Sequence, residues 1–205
     1  MASTSKEFLL RYSLQSFGII LILAILIRTF FFSSYVMSGA AMLPSIWPGD
    51  FLIGGKVGLQ DLKRGQIVAM RCPLNRDKLC LKRVVAISGD RVEFQGDNLV
   101  INGETAHYIQ AGDFQTEIVA GRGWAIWPAK EAGVAGPPVV VPPQNIYLLN
   151  DKRSDRDDSR TWGPVTTDFL EARVLAVWMS LDWFEGEKVR SWPRVRWPRV
   201  LHSID

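Results

Sequence analysis

Apolar residues are concentrated near the N-terminus of the chain. Residues 12–27 carry no charge, and from Phe17 to Ile27 nearly every side chain is Ile, Leu or Phe. At 1.5 Å per residue, a helix over residues 12–27 covers roughly 24 Å, and extending it to residue 32 brings it near the bilayer hydrocarbon thickness of about 30 Å. The pattern predicts a membrane-spanning helix over residues 12–32, with Arg28 extending its charged end toward the interface.

A cleavable secretory signal peptide is the alternative for this segment. Such peptides place a short apolar run after basic residues and before small ones. Lys6 and Arg11 precede the run, and Gly39, Ala40 and Ala41 follow it. The apolar run alone leaves both interpretations open.

The basic residues around the span predict its orientation. Lys6 and Arg11 precede it, whereas no basic residue lies between Arg28 and Lys56. Because cytoplasmic flanks carry the excess of Lys and Arg, residues 1–11 are predicted to be cytoplasmic. The remainder of the chain, residues 33–205, is predicted to be an extracytoplasmic domain.

Beyond the span, the pattern changes to short runs of Val, Ile, Phe and Trp separated by Gly-Asp, Asn-Gly and Gly-Pro pairs. This alternation, without long helical periodicity, predicts a mainly β domain of antiparallel sheets. Asn102 and Gly103 predict a hairpin turn. Residues 107–143, which end in a proline-rich stretch, predict an inserted excursion rather than central strands. The predicted strands are Phe51–Ile53, Ile67–Arg71, Leu81–Ile87, Arg91–Phe94, Leu99–Ile101, Tyr147–Leu149 and Arg173–Ser180.

Charge and composition narrow the expected partners. The formal net charge is +3, yet the basic residues are dispersed and no nucleic-acid-binding motif accompanies them. Anionic lipid head groups are therefore the expected partner, and nucleic acid is not. Residues 183–199 interleave tryptophans with arginines, as membrane interfaces do. The alternative is that these tryptophans pack on the β domain while the arginines form a solvated face.

Two cysteines flank a short polar segment. Cys72 and Cys80 can face each other across a hairpin and form a disulfide in an oxidising compartment. Two buried free thiols are the alternative, and a lone pair at this spacing does not predict a zinc site. We predict no metal and no other cofactor.

Lys82 is a candidate general base. A Ser/Lys peptidase needs a hydroxyl beside an amine that is neutral at the working pH. Burial among apolar side chains lowers the pKa of a lysine, and Lys82 lies between Leu81 and the apolar run Val84–Ile87. Taken alone, a lysine in a strand is more often an exposed edge residue.

Four ordered segments together resemble the type I signal peptidases over nearly the whole chain. Residues 38–50 resemble the family's Ser-Met-x-Pro box, in which the serine before the methionine is the nucleophile. Ala41 occupies that position. Residues 64–68 resemble the Arg-Gly-Asp-Ile-Val strand, with Gln66 in place of the usual Asp.

The other two segments carry the remaining site residues. Residues 82–90 resemble the box whose lysine is the general base, which assigns that role to Lys82. Residues 150–163 resemble the box that runs from Gly-Asp-Asn-Arg to Asp-Ser-Arg-x-Trp-Gly, and Asp158 and Arg160 match its structural ion pair. The site residues implied by the resemblance are Ala41 and Lys82 for catalysis, and Ser38, Gly39, Met42, Pro44, Asp158, Ser159 and Arg160 for substrate binding or structure.

The resemblance implies one membrane helix followed by an antiparallel β signal-peptidase domain. It implies a single-pass protein of the bacterial inner membrane, with the catalytic domain on the periplasmic or extracytoplasmic side. The substrate would be the extended C-terminal end of the signal peptide of an exported pre-protein. That end would be held as an added β-strand, with small side chains at the first and third residues before the cut.

Three departures from the family pattern concern mechanism. Without a hydroxyl at Ala41 no acyl-enzyme can form, and loss of a nucleophile commonly lowers turnover by a factor of about a million. Arg156 stands where family members often carry a serine that hydrogen-bonds the lysine. Gly39 stands where some members carry a serine that assists the oxyanion hole. Ser38 and Ser45 lie several residues away from position 41 and are not expected to replace the nucleophile.

Two accounts of Ala41 remain open from the sequence. The alanine was introduced into a working peptidase, or the chain is a natural pseudoprotease that binds signal peptides or pre-proteins without cutting them. A further possibility, which concerns the substrate, is a specialised peptidase that processes a pilin or conjugation factor. Retention of Lys82, which costs stability when buried, favours the first account.

Overall fold

The computed structural model describes residues 2–59, 61–129, 137–185 and 188–204, without the side chains of residues 2–14, 184, 185, 188 and 190. Residues 130–136 of the predicted excursion therefore lie outside the described residues. The same holds for the side chains of Lys6 and Arg11, on which the predicted orientation depends, and for those of Lys188 and Arg190.

A long helix opens the structure. Helix α1 spans Ala2–Phe31 and leads directly into strand β1, Phe32–Val36. The apolar side chains of α1 from Phe17 onward are mostly exposed, for example 65% for Phe17 and 68% for Phe30. By length and hydropathy together, no helix within the described part of the chain qualifies as membrane-spanning. The span at residues 12–32 stays a prediction.

The rest of the described chain is mainly strand. The short helix α2, Ser159–Trp162, and two 3-10 turns, Thr167–Phe169 and Trp197–Arg199, interrupt it. The strands after β1 are β2 Asp50–Gly55, β3 Ile67–Cys72, β4 Asn75–Ile87, β5 Arg91–Gln95, β6 Asn98–Ile101, β7 Glu104–Thr105, β8 His107–Ala111, β9 Phe114–Val119, β10 Arg122–Ile126, β11 Val139–Val140, β12 Asn145–Leu149, β13 Val165–Thr166, β14 Leu170–Glu185, β15 Lys188–Val195 and β16 His202–Ser203.

The strand pairs are antiparallel and form three sheets within the described residues. The largest sheet has the order β1-β2-β14-β3-β4-β12-β13, and β15 and β16 also pair with β14. Strands β8, β9 and β10 form a separate sheet, and β11, β5, β6 and β7 form another. Residues 107–126 therefore lie outside the largest sheet, which contains Lys82.

Both faces of the largest sheet are buried at its centre. On β3, Ile67 and Ala69 face a cluster that contains Met42 and Leu52, whereas Val68 and Met70 face a second cluster. Because successive side chains of a strand point to opposite faces, burial on both faces requires a continuous apolar run, as β3 has. A third cluster packs the two smaller sheets against β4 and β12; its members include Val85, Val92, Leu99, Trp124 and Leu149.

The structure confirms the predicted strands, each as part of a longer strand, and two of them are extended most. Strand β4 begins at Asn75 rather than Leu81, and β14 continues to Glu185, past the predicted end at Ser180. Strands β1, β7 to β11 and β13 were not predicted, and neither were β15 and β16. In the region of β15 and β16 the sequence lacks the alternation of apolar and polar residues that predicts a strand. The positions of its prolines and closely spaced tryptophans are not set by burial on one face.

The C-terminal segment also differs from the alternative in which its tryptophans pack on the β domain and its arginines are solvated. Trp192 is 85% exposed and Trp197 is 73% exposed, so these tryptophans do not pack in the β domain. Arg196 and Arg199 instead turn inward to ion pairs with Asp182 and Asp50. For these side chains, the alternative of buried tryptophans and solvated arginines is wrong.

Cys72 and Cys80 are joined by a disulfide between β3 and β4, with their Cα atoms 5.3 Å apart. Their sequence separation of 8 closes a short loop. Replacing both with alanine is expected to lower the free energy of unfolding by roughly 2–3 kcal/mol, because a loop of this length loses about that much chain entropy when crosslinked. Urea denaturation of the full chain in detergent, with and without the two substitutions, measures this difference. An unchanged midpoint would contradict it.

Candidate active site

The loop that carries Ala41 connects β1 to β2. The Met37 N–H donates to the Asp50 carbonyl at 2.9 Å, and the Gly49 N–H donates to the Met37 carbonyl at 2.7 Å, so the two ends of the loop are held together. Met42 and Ile46 point inward and are fully buried. Ala41, in the middle of this anchored loop, is half-buried.

Two C-terminal arginines brace the same loop from outside. Arg199 pairs with Asp50 at 2.5 Å and donates to the Ser45 carbonyl at 2.9 Å. Arg196 donates to the Pro48 carbonyl at 2.9 Å. Both guanidinium groups lie 5.8 Å from the centre of the Trp47 ring, within cation–π range. The loop is therefore fixed by residues almost 150 positions later in the chain.

Lys82 lies on β4 opposite Val68 of β3 and is only 3% exposed. Its Nζ donates to Asn150 Oδ1 at 2.7 Å and lies 5.4 Å from the centre of the Trp162 ring. Burial lowers the pKa of Lys82 below the ordinary lysine value, and Arg160 lowers it further, although Asp157, Asp158 and Asp155 act in the opposite direction. Burial dominates because an ammonium loses hydration that the carboxylates do not fully replace.

Backbone contacts connect the lysine to the loop of Ala41. Asn150 follows directly after β12, and two residues later the Lys152 N–H donates to the Ala41 carbonyl at 3.0 Å. The segment 150–152 thus contacts Lys82 through a side chain and Ala41 through the backbone. The structure brings the two predicted catalytic positions to one end of β12.

Arg83, beside Lys82, ties the same elements together on the opposite face of β4. Its guanidinium pairs with Asp151 at 2.6 Å, donates to Ser45 Oγ at 2.7 Å and donates to the Gly65 carbonyl at 2.5 Å. Because the Ser45 hydroxyl accepts from Arg83, it is committed to a structural contact. Ser38 is exposed.

The residues of the fourth box support the end of β12. The Asp158 side chain caps α2, accepts from the Asn150 N–H at 3.0 Å and pairs with Arg160 at 2.6 Å. Ser159 Oγ accepts from the Leu148 N–H at 3.0 Å. These contacts hold the backbone on both sides of Leu149, and thereby the position of Asn150.

The other predicted residues occupy separate places. Gly39 is exposed, and the Pro44 carbonyl accepts from Trp47 Nε1 at 2.9 Å. Arg156 is exposed and lines a cavity of about 260 Å³ together with Tyr108 and Arg153. Its side chain therefore points away from the protein interior.

A buried acid connects the sheet of residues 107–126 to the site. Glu117 on β9 is fully buried and accepts hydrogen bonds from Tyr108 at 3.0 Å and Trp124 at 2.8 Å. Both of its oxygens also accept from Arg153, whose Nε donates to the Asn150 carbonyl at 3.1 Å. Hydrogen bonds therefore connect Glu117 through Arg153 and Asn150 to Lys82.

Sequence reasoning missed several of these residues. Asn150, Asp151 and Arg153 lay within a recognised box, and Arg83 directly followed Lys82, but none of them received a role. No local signal marks Glu117 or Arg199, because their partners lie 36 and 149 residues away. Contacts of such separation become visible only in the folded chain.

An antiparallel β domain thus holds a buried lysine and the loop of Ala41 against one segment, residues 150–152. Comparison with known families assigns the class of protein. The chain belongs to the signal peptidase family, peptidase S26, whose sequence model matches residues 10–179.

Individual relatives are signal peptidases I. The chain is 30% identical to signal peptidase I of Bacillus licheniformis over 162 residues, which cover 77% of this chain and 82% of the relative. It is 29% identical to signal peptidase I of Bacillus caldolyticus over 150 residues, covering 72% and 80% of the two chains. A crystal structure of a signal peptidase I from Enterococcus faecalis aligns with 22% identity and a TM-score of 0.37, over 55% of this chain and 96% of the other.

Proposed function

We propose that this chain is a type I signal peptidase with Ser/Lys chemistry, in which Ala41 occupies the nucleophile position and Lys82 is the general base. The observation that carries the proposal is the buried Lys82 amine held at the end of β12, where the same segment binds the Ala41 backbone. Family membership supports this peptidase class.

In the Ala41→Ser form, the hydroxyl of residue 41 attacks the scissile carbonyl while the neutral Lys82 amine takes its proton. Lys82 then returns that proton to the leaving amine. The backbone N–H of residue 41 is available to stabilise the oxyanion. With alanine at position 41 there is no atom to form the acyl-enzyme, so the alanine form is expected not to cleave the substrate.

Strand β4 provides a place for an extended substrate. It pairs with β3 from Asn75 to Arg83, whereas on its other edge β12 pairs only with Arg83 and later residues. Among the described residues, no strand pairs with that edge before Arg83. A signal-peptide end can add there as a strand and reach Lys82 at the limit of the open edge.

Membrane attachment forms part of the proposal. The exposed apolar side chains of α1 are suited to a hydrocarbon environment, and the exposed Trp192 and Trp197 are suited to the lipid interface. With α1 as a single-pass anchor, the site loop, which begins only a few residues after α1, lies near the bilayer surface. A signal peptide spanning the same bilayer would end at that level.

The test is cleavage of a purified precursor that has small residues at the first and third positions before its processing site. The Ala41→Ser form is expected to cut at that single bond, as read by mass spectrometry, whereas the unaltered chain leaves the precursor intact. A matched precursor with phenylalanine at the first position should resist cleavage. Precursor binding without any cleavage by folded Ala41→Ser protein would instead favour the pseudoprotease account. Preferential cleavage of a pilin precursor would favour the specialised one.

A further inference from the structure

The side chain of Asn150 is enclosed and its orientation is fixed. Asn150 is fully buried, and its Nδ2 donates to the carbonyls of Asp155 at 3.2 Å and Asp157 at 3.4 Å. Its Oδ1 is the atom that faces Lys82, at 2.7 Å from Nζ. Rotating the amide by half a turn would place the NH₂ group against the lysine and the oxygen against two carbonyls. The two carbonyls therefore determine which end of the amide the lysine contacts.

This orientation matters because an amide oxygen can only accept a hydrogen bond. A neutral lysine amine has two N–H donors and one lone pair. The Asn150 oxygen uses one N–H and leaves the lone pair uncommitted. A flipped amide would donate to the lone pair and block the position at which a proton must arrive.

We propose that Asn150 is a positioning residue for Lys82: it holds the amine through one N–H and keeps the lone pair of the nitrogen free to accept a proton. The proposal rests on the proposed role of Lys82 as general base. The neighbouring contacts support it, because Asn150 is itself fixed through its N–H to Asp158 and its carbonyl to Arg153. Two side-chain and two backbone contacts thus hold Asn150, and they determine the location of the amine bonded to it.

The charged groups with the largest effect on the pKa of Lys82 lie on the segment after β12. Asp155, Asp157 and Asp158 favour the protonated amine, and Arg160 disfavours it. Asn150 is uncharged, so replacing it with aspartate adds a carboxylate in contact with Nζ, whereas replacing it with leucine removes the acceptor at similar volume. The two substitutions should therefore move the pKa of Lys82 in opposite directions.

The experiment measures the pKa of Lys82 from its ¹³Cε chemical shift in the full chain in detergent micelles, assigned by comparison with Lys82→Ala. We expect Asn150→Asp to raise the pKa and Asn150→Leu to lower it further. Asn98→Asp adds the same charge at an exposed position of β6 and should leave it unchanged. If both Asn150 variants move the pKa toward the ordinary lysine value, Asn150 only keeps water away from Lys82. That result would overturn the proposal.

A measurement on the unaltered chain does not depend on variants that fold. The side-chain amide resonances of Asn150 are expected to titrate with the same midpoint as Lys82 ¹³Cε, because the acceptor senses the charge on its donor. Amide resonances that stay constant through the Lys82 titration would exclude the contact. Both NMR tests use the alanine form, so they remain decisive even if Ala41→Ser protein proves inactive and the proposed function fails.

In an active Ala41→Ser background, Asn150→Leu should lower kcat by roughly 10- to 100-fold and change KM by less than about twofold, because misplacing a base by about 1 Å costs rate rather than binding. Asn98→Asp should retain the parent kcat and KM. An unchanged kcat for Asn150→Leu would reject the positioning role.

Discussion

Replacing Lys82 with methionine in the Ala41→Ser form is expected to abolish precursor cleavage, lowering turnover by a factor of about 10⁴ to 10⁶. Methionine keeps the length and apolar packing of the lysine stem but cannot accept a proton. Without that acceptor the hydroxyl is a weak nucleophile, so the loss should approach that caused by alanine at position 41. Single-turnover cleavage of the precursor measures both rates on one scale.

Lys63→Met is the matched control, because Lys63 is an exposed lysine of the β domain outside strand β4. It should cleave at the parent rate. Equal turnover by Lys82→Met and its Ala41→Ser parent would show that another group acts as the base.

The pH dependence of cleavage follows from the lowered pKa of Lys82. Only the neutral amine can accept the proton, so kcat/KM should rise as pH increases through the pKa of Lys82 in the free enzyme. Because burial lowers that pKa, kcat/KM should increase at a pH below the ordinary lysine pKa of about 10.4. The unfolded chain binds a proton in the interval between the two pKa values while the folded chain does not, so the contribution of Lys82 to stability increases with pH there.

The same burial predicts that Lys82→Met unfolds at a higher denaturant concentration than its parent at neutral pH. The substitution removes a group whose charged form is destabilised by the interior and replaces it with an apolar side chain. Lys63→Met should leave the midpoint unchanged. The variant would then be both more stable and inactive, a combination that loss of fold cannot produce.

Breaking the buried contact of Glu117 is expected to destabilise the chain by about 3–5 kcal/mol, because Arg153 would keep its charge in the interior without a partner. Glu117→Gln preserves the shape and removes the charge. It also weakens the acceptor for Tyr108 and Trp124, both of which donate to the carboxylate. Denaturant unfolding of the full chain in detergent, followed by tryptophan fluorescence, measures the change.

Glu93→Gln provides the comparison. Glu93 forms an ion pair with Arg91 at 3.9 Å, and the arginine side chain of this pair is 55% exposed. Exposed pairs of this kind contribute only about 0–1 kcal/mol. Replacing both Glu117 and Arg153 with leucine should cost less than Glu117→Gln alone, because no uncompensated charge remains. If Glu117→Gln and Glu93→Gln lower stability equally, Glu117 does not compensate Arg153.

The sequence predicted the local parts of this molecule better than the distant ones. Strands such as Ile67–Arg71 and Tyr147–Leu149 were predictable because buried strands carry unbroken apolar runs whose limits are set by turn residues. Lys82 was predictable because its apolar neighbours indicate burial and its box resembles that of a known family. These signals lie within a few residues of the feature they describe.

Side-chain partners could not be derived in the same way. The acceptor of the Lys82 amine is Asn150, 68 residues later, and an asparagine after a strand is equally common in solvent-exposed turns. The inward orientation of Arg199 depends on Asp50, which is buried only after β2 and β14 have paired. The composition of residues 183–199 indicated a basic and aromatic surface. Which of these side chains point inward depends on tertiary contacts.

The dependence of the site loop on Arg199 has a consequence for the timing of biosynthesis. At about 5–20 residues per second, a ribosome reaches Arg199 roughly 7 to 30 s after Asp50, since 149 positions separate them. Until then the loop of Ala41 lacks its contacts with Arg199, even if the strands of the sheet have already paired. A nascent chain therefore cannot complete the braced form of this loop before residue 199 has been synthesised.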